Sequence, residues 1–409
     1  MNQATLDFIA RNVDADVRQL ALCGVDTDGV DLPAALDQIA GRQTARRKLP
    51  SWAAVDGIVY PPRLSMEQCS SELTARYKAG VAGTGQRLVD LTGGFGVDFA
   101  FMASHFTDAV YVERQQHLCA IARENFRRLE LKADVVCGDA ADYLSTMAPA
   151  DIVFLDPARR DDHGQRTYGI ADCTPNLLDL LPLLLQKARR IMVKLSPMLD
   201  WRKAVSDINS VIATAANVVR EVHIVSVNNE CKELLLLVEN GESKVEGREQ
   251  SVETDYLLRC INVLSDATVQ QFSVTMPESL HQQPFASLPG QFLFEPNTSI
   301  MKAGCFDALA DAYGVSQLAP NSHLFTADRP IADFPGRRFH IDAVSTMNKR
   351  ELKESLAGVE QANITVRNFP LTVAQLRQRL KLSEGGSTYI FATTLADKRH
   401  VLLLCSKLN

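Results

Sequence analysis

Apolar and polar positions change their spacing along this chain of 409 residues, and each change marks a different kind of element. Over residues 1–83 apolar positions recur at three- and four-residue intervals, as in Asp16–Cys23 and Leu32–Ala40. This predicts a helical region, punctuated by Pro50, Pro61 and Pro62. Its last helix is predicted over Leu64–Lys78, capped by Ser65 and dense in polar groups. That helix either covers a pocket or is a charged, solvated surface. Beyond it the spacing gives way to short apolar runs that each close on an acid: Leu88–Asp90, Asp108–Glu113, Ala133–Asp139 and Asp151–Asp156. Such runs predict strands of an α/β sheet. A helix over Thr174–Lys187, a strand over Arg190–Leu195, a helix from Asp200 to Ala216 and strands over Val219–Val227 and Glu233–Glu239 continue the series. Asn228 and Asn229 read as the turn of a terminal hairpin, which brings the count to seven strands.

After Asn240 the polar run Gly241–Glu253 reads as a connector or edge hairpin, followed by an α+β unit with a helix over Thr298–Tyr313. The remainder predicts strands over Arg338–Val344, Tyr389–Thr394 and His400–Cys405, with helices over Lys349–Leu356 and Thr372–Leu380. The expected organisation is a helical region over 1–83, a sheet domain over 84–240, and smaller α+β domains over 254–319 and 320–409.

Composition adds bounds. With 46% hydrophobic and 22% charged residues the chain reads as globular, and no apolar run approaches the roughly 20 residues that span a bilayer. Met1–Val13 has no signal-peptide layout, so a cytoplasmic protein is expected. The nine cysteines form no C-x-x-C pair and have no His partner at zinc spacing, so neither a metal site nor a disulfide framework is expected. Net charge is -6, unevenly spread: from Asn321 onward 13 Lys and Arg oppose 8 Asp and Glu, so this piece carries +5 and the rest -11. A basic segment beside an acidic body suits contact with phosphates, and equally an ordinary solvated surface.

The most informative stretch is Leu88–Asp98, an apolar strand that breaks at Gly93, Gly94 and Gly96 before helical spacing resumes. Glycines there let the backbone turn sharply and approach a ligand closely. The dinucleotide fingerprint G-x-G-x-x-G is not met, because Val97 and Asp98 follow where a third spaced glycine is needed. Glu113 lies 23 residues past Asp90, at a strand end where a carboxylate can accept both ribose hydroxyls of a nucleoside. Open α/β sheets bind ligands at the carboxyl ends of their strands, so the four acids are expected on one crevice.

On these residues the segment resembles the class I S-adenosylmethionine-dependent methyltransferases, with their Rossmann-like seven-stranded sheet. The resemblance implies a cofactor site of Asp90, Thr92, Gly93, Gly94, Gly96 and Asp98 at the first turn, Glu113 on the ribose, and Asp139 with Ala140 at the adenine. Met66–Glu72 (MEQCSSE), Leu91–Gly96 (LTGGFG), Leu155–Arg160 (LDPARR), Glu295–Gly304 (EPNTSIMKAG), Pro320–His323 (PNSH) and Gly385–Thr394 (GGSTYIFATT) extend the likeness over nearly the whole chain. They resemble a bacterial methyltransferase family with a ferredoxin-like and then a THUMP-like domain at the C-terminus. THUMP domains proper bind structured RNA, which by analogy implies an rRNA or tRNA substrate.

The resemblance places the acceptor at Asp156, Pro157 and Arg159. Related nucleic-acid N-methyltransferases have Asp or Asn, two prolines and an aromatic; Ala158 and Arg159 replace the last two here. An arginine plane can stack on a base or hold a phosphate instead. Cys173, in a candidate substrate loop, reads as structural rather than as a nucleophile. Lys194 steers a phosphate or is a surface charge, and His163 reads as part of a solvated loop. Two rival functions stay open: a methyltransferase for small molecules, and a non-catalytic RNA-binding protein with a vestigial methyltransferase sheet.

Overall fold

The computed structural model describes residues 1–22, 28–158, 169–211, 218–239, 255–277 and 284–408. The chain divides into two compact units, one made of residues 1–222 with the strand residues from 233, the other of residues 223–232 and 255 onward.

The first unit opens, among the described residues, with helices α1 (Gln3–Arg11), α2 (Val17–Leu22), α3 (Leu32–Lys48), α4 (Pro50–Ala53), α5 (Arg63–Gln68) and α6 (Glu72–Ala82). The single helix expected over 64–78 is two. Cys69 is extended, and the Ser71 side chain accepts from Thr74 N, so Ser71 rather than Ser65 starts the second helix. A serine whose oxygen satisfies an otherwise unpaired N–H in the first turn is a strong start signal.

Strands β1 (Gly85–Asp90), β2 (Phe106–Glu113), β3 (Asp134–Cys137), β4 (Ala150–Leu155), β5 (Ala188–Leu195), β6 (Val219–Val227) and β7 (Glu230–Glu239) take the order β3-β2-β1-β4-β5-β7-β6. Pairing is parallel from β3 to β5, and β7 enters antiparallel against β5. Between the strands run α7 (Val97–Ala103), α8 (Gln116–Arg128), α9 (Ala140–Thr146), α10 (Leu177–Lys187) and α11 (Trp201–Val211). Because the first four strands are parallel, their C-terminal ends lie along one edge.

The core beneath that edge is aromatic. Phe99, Tyr111 and Phe126 meet with ring centroids 5.1 to 5.6 Å apart, Tyr111 standing edge-to-face against both phenylalanines. The N-terminal helices buttress it: Trp52 lies 5.1 Å from Phe95, and Asn125 exchanges two hydrogen bonds of 2.8 Å with the backbone of Val59.

In the second unit β8 (Tyr256–Val263) and β9 (Val269–Met276) form a hairpin that continues the strand order past β6, where Asn228 N donates to Val263 O. Among the described residues the strand order therefore counts nine, against the expected seven. Without β8 the outer edge of β6 would present unpaired N–H and C=O groups. A second sheet has the order β11-β12-β10-β13-β16-β15-β14, from β10 (Phe292–Pro296), β11 (Ser316–Gln317), β12 (Phe325–Ala327), β13 (Gly336–Ser345), β14 (Asn363–Arg367), β15 (Thr388–Thr394) and β16 (His400–Lys407). The helix expected over 298–313 is α12 (Thr298–Ala303) and α13 (Phe306–Tyr313), parted at Gly304, whose φ of 69° ends the first. Helices α14 (Lys349–Ser355) and α15 (Val373–Leu380) complete the unit. Among the described residues no helix is long and apolar enough to cross a membrane.

Candidate active site

The strand ends deliver the acids to a common rim, and backbone hydrogen bonds join them. Thr92 N donates to Asp90 Oδ1 at 2.9 Å, while Thr92 Oγ1 accepts from Asp156 N at 2.6 Å, tying the end of β1 to the end of β4. Glu113 Oε2 accepts from Gly94 N at 2.9 Å, its Oε1 accepts from Gln115 N at 2.8 Å, and its backbone O accepts from Gly138 N at 3.0 Å. Glu113 thus links the glycine turn and the start of α8 through its side chain, and the approach to Asp139 through its backbone. Each carboxylate oxygen keeps a further lone pair.

The glycines differ in why they are glycines. A Cβ on Gly93 would stand 2.1 Å from the Tyr111 ring, whose hydroxyl donates to Gly94 O, so this position has no room. Gly94 has a φ of 56° and only Thr92 O within 4 Å of where a Cβ would be, so its outer side is open. Gly96, with a φ of 86°, precedes α7 and abuts Phe126.

Asp139 caps α9, its Oδ1 accepting from Ala141 N at 2.8 Å and from Asp142 N at 3.4 Å, while the residue stays exposed and Ala140 is buried. Asp90 is 1% exposed. Burial pushes its carboxyl well above the usual carboxylate range, and the neighbouring charges of Asp98, Asp156 and Glu113 add to this against the Thr92 N–H.

Asp98 meets two lysines. Lys78 Nζ lies 3.2 Å from its Oδ1, Lys194 Nζ lies 3.5 Å from its Oδ2, and Ser70 Oγ donates to Oδ2 at 2.8 Å. Burial works against its charge, but the two ammonium groups and the Ser70 hydroxyl hold the carboxyl below its ordinary value. Lys78 is fully buried and also reaches both oxygens of Glu233, at 2.6 and 2.7 Å. Lys194 stands 2.5 Å from Asp156 Oδ2. Burial opposes the charge of Lys194 as well, yet Asp156, Asp98 and Glu233 together raise its pKa. The Asp156 carboxylate, 39% exposed, is the solvent-facing end of this chain of alternating charges.

Pro157 is buried, and Ala158 exchanges hydrogen bonds of 2.8 and 2.9 Å with Thr174. Cys173 is 3% exposed, its Sγ 3.8 Å from Gly169 O, in keeping with the structural reading of this thiol. Arg159 and His163 lie outside the described residues. Ser70, Lys78 and Glu233 were not singled out as site residues from the sequence. Two of them carry a local signal: Lys78 interrupts the buried stripe of Ala75, Ala79 and Ala82 on α6, and Glu233 directly precedes the buried run Leu234–Val238. A charge inside an apolar stripe needs a partner. Helix α6 is therefore not the charged, solvated surface that its composition also allowed.

Two family models match. Residues 292–335 match a ferredoxin-like domain and residues 336–407 a THUMP domain-like family. Strands β10 to β12 of the first segment and β13 to β16 of the second share one sheet. No curated protein matches the chain. Among solved structures, a candidate methyltransferase from Porphyromonas gingivalis W83 is 34% identical, with a TM-score of 0.85, covering 99% of this chain and 98% of its own. A SAM-dependent methyltransferase from Agrobacterium tumefaciens is 17% identical (TM-score 0.30; 41% of this chain, 60% of its own). A candidate methyltransferase from Streptococcus mutans, solved in complex with SAH, is 14% identical (TM-score 0.32; 41% and 96%). The last two likenesses are partial and weak. The full-length match and the two C-terminal models agree with the motifs and the sheet: the chain belongs to the class I S-adenosylmethionine-dependent methyltransferase family that carries ferredoxin-like and THUMP-like domains toward its C-terminus.

Proposed function

We propose that the protein transfers a methyl group from S-adenosylmethionine to a base of an RNA, either rRNA or tRNA. One observation carries the reading: the ends of β1, β2 and β4 are joined through Gly94, Glu113, Thr92 and Asp156 by direct hydrogen bonds. Asp139 follows one residue after the Gly138 N–H that reaches Glu113.

The residues fit the cofactor. Asp90, Thr92, Gly93, Gly94 and Gly96 would form its cradle, with the open side of Gly94 giving room for close backbone approach. Glu113 would hold the ribose hydroxyls, and Asp139 with Ala140 the adenine. Asp98 supports this wall from behind, its oxygens engaged by Ser70 and the two lysines. When bound, the cofactor supplies an electrophilic methyl on a sulfonium. Asp156 then has two tasks: to accept a hydrogen bond from the acceptor's N–H, which orients it for in-line attack, and to take the proton that the acceptor loses. Its partial exposure gives that proton a way out to water. Pro157 shapes the acceptor side, and Arg159 would meet the base plane or a phosphate.

RNA as the acceptor is supported by the THUMP-like match over 336–407 and by the +5 charge of residues 321–409. The test is incubation of labelled S-adenosylmethionine and the protein with RNA from a strain lacking it, followed by mass mapping of the modified nucleoside. Label in one nucleoside is the expected result. Label in small metabolites only, with no salt-sensitive RNA binding, would move the acceptor to a small molecule.

A further inference from the structure

Five charged side chains alternate in sign from the rim inward: Asp156, Lys194, Asp98, Lys78 and Glu233, with Ser70 bridging Lys78 and Asp98 at 3.2 and 2.8 Å. Asp156 directly follows β4, and the others come from β5, α7, α6 and β7; Asp156 lies in LDPARR, Ser70 in MEQCSSE, and Asp98 two residues past LTGGFG. Of the five, only Asp156 meets the acceptor in the proposed transfer, and Asp98 stands behind the cofactor wall. We propose that Lys194 is the positioning residue for Asp156, and that the buried Lys78–Glu233 pair commits Lys194 to that task by ion-pairing with Asp98; this rests on Asp156 facing the methyl acceptor.

The argument is a competition for one ammonium group. Lys194 stands between two carboxylates, 2.5 Å from Asp156 and 3.5 Å from Asp98. Asp98 is 9% exposed and Asp156 is 39% exposed. Water stabilises the exposed carboxylate, whereas the buried one depends on its protein partners. Left alone with Lys194, Asp98 would therefore draw the ammonium inward. Lys78 removes that pull by taking Asp98 Oδ1, and Glu233 fixes Lys78 through both oxygens. Lys194 then stays on Asp156 Oδ2 and sets the direction of the carboxylate. The closeness of Lys194 to a half-exposed acid also separates it from a lysine that merely fills the core.

Full-length variants test this with four measurements: transfer to RNA from a strain lacking the protein, cofactor affinity by calorimetry, melting temperature, and the ammonium resonances of ¹⁵N-lysine-labelled protein. In Lys194→Met, kcat should fall about 100-fold, the scale of a misplaced catalytic group, while cofactor affinity stays unchanged; Lys194→Arg should recover part of the loss. In the double variant Lys78→Met with Glu233→Leu, an apolar pair replaces the ionic one and should keep the melting temperature, while kcat falls about tenfold. The Lys194 ammonium signal, identified by its absence in Lys194→Met, should move in the double variant in the same direction as in Asp156→Asn. Wild-type kcat in Lys194→Met overturns the proposal. So does a loss of kcat, affinity and melting temperature together in that variant, which marks a purely structural role. Unchanged kcat or an unmoved ammonium signal in a stable double variant overturns the part given to Lys78 and Glu233. If the wild type methylates no RNA but the ammonium shift appears, the RNA reading fails and the positioning network stands.

Discussion

Asp98 in the first unit and Glu295 in the second are both buried acids with two cationic partners, and they differ in where those partners stand. Glu295 is 3% exposed and takes Arg367 at 2.8 Å and Arg337 through its other oxygen. Both arginine side chains remain more than a third exposed, and Arg337 also lies over the faces of Phe339 and Phe391. This is a clamp between strands β10, β13 and β14 that reaches solvent through its cations. Asp98 has the opposite arrangement, with lysines that are 0% and 12% exposed and with the solvent-facing group an acid, Asp156. A clamp that ends in hydrated arginines holds a sheet together. One that ends in an exposed carboxylate presents a chemical group, and the buried part keeps it in place.

The largest effect is expected from Asp98→Ala, which leaves Lys78 and Lys194 without their shared partner. The loss should be about 3–5 kcal/mol in urea unfolding, with transfer abolished. Glu295→Ala leaves two arginines that water can reach, so about 1–3 kcal/mol is expected, with cofactor affinity unchanged by calorimetry. Equal losses in the two variants would erase the contrast between the sites. Glu113→Ala removes the acceptor for Gly94 N and Gln115 N as well as the proposed ribose contacts. Cofactor affinity should fall about tenfold or more, and an unaltered dissociation constant would take Glu113 out of the cofactor site.

Asp90 sharpens the comparison, because it is a buried acid with no cation among the neighbours that shift it. Its folded-state pKa is raised, so the folded protein binds the extra proton. The stability it contributes is fully present below the unfolded value of about 4 and is lost as pH rises through the folded value. Asp90→Asn should remove that dependence. Urea midpoints of wild type and variant should diverge as pH rises above about 4, to the relative disadvantage of the wild type; parallel curves would mean that Asp90 is charged in the fold.

The sheet was legible because a strand buried on both faces leaves an uninterrupted apolar run, and β1, β2, β4, β5, β6 and β7 all carry one. The acids at the ends of β1, β2 and β4 were legible for the same reason, since each closes its run. What escaped depends on pairing across sequence distance. Lys78 and Glu233 are 155 residues apart, and a charge in an apolar stripe says that a partner is needed but not which residue it is. The break at Cys69–Ser71 was hidden because polar residues dominate the segment, so apolar spacing had little to count. Placing β8 and β9 beside β6 is likewise a matter of edge pairing, which leaves no local trace.

The two hydrogen bonds between Ala158 and Thr174 tie the chain just past Asp156 and Pro157 to the residues that lead into α10. Loop-closure entropy rises only slowly with length, by about 0.6 kcal/mol per doubling. Insertions or exchanges between these two anchors should therefore leave the Asp156 end of β4 undisturbed. Evolution can therefore lengthen or shorten the chain between these anchors without loosening the end of β4.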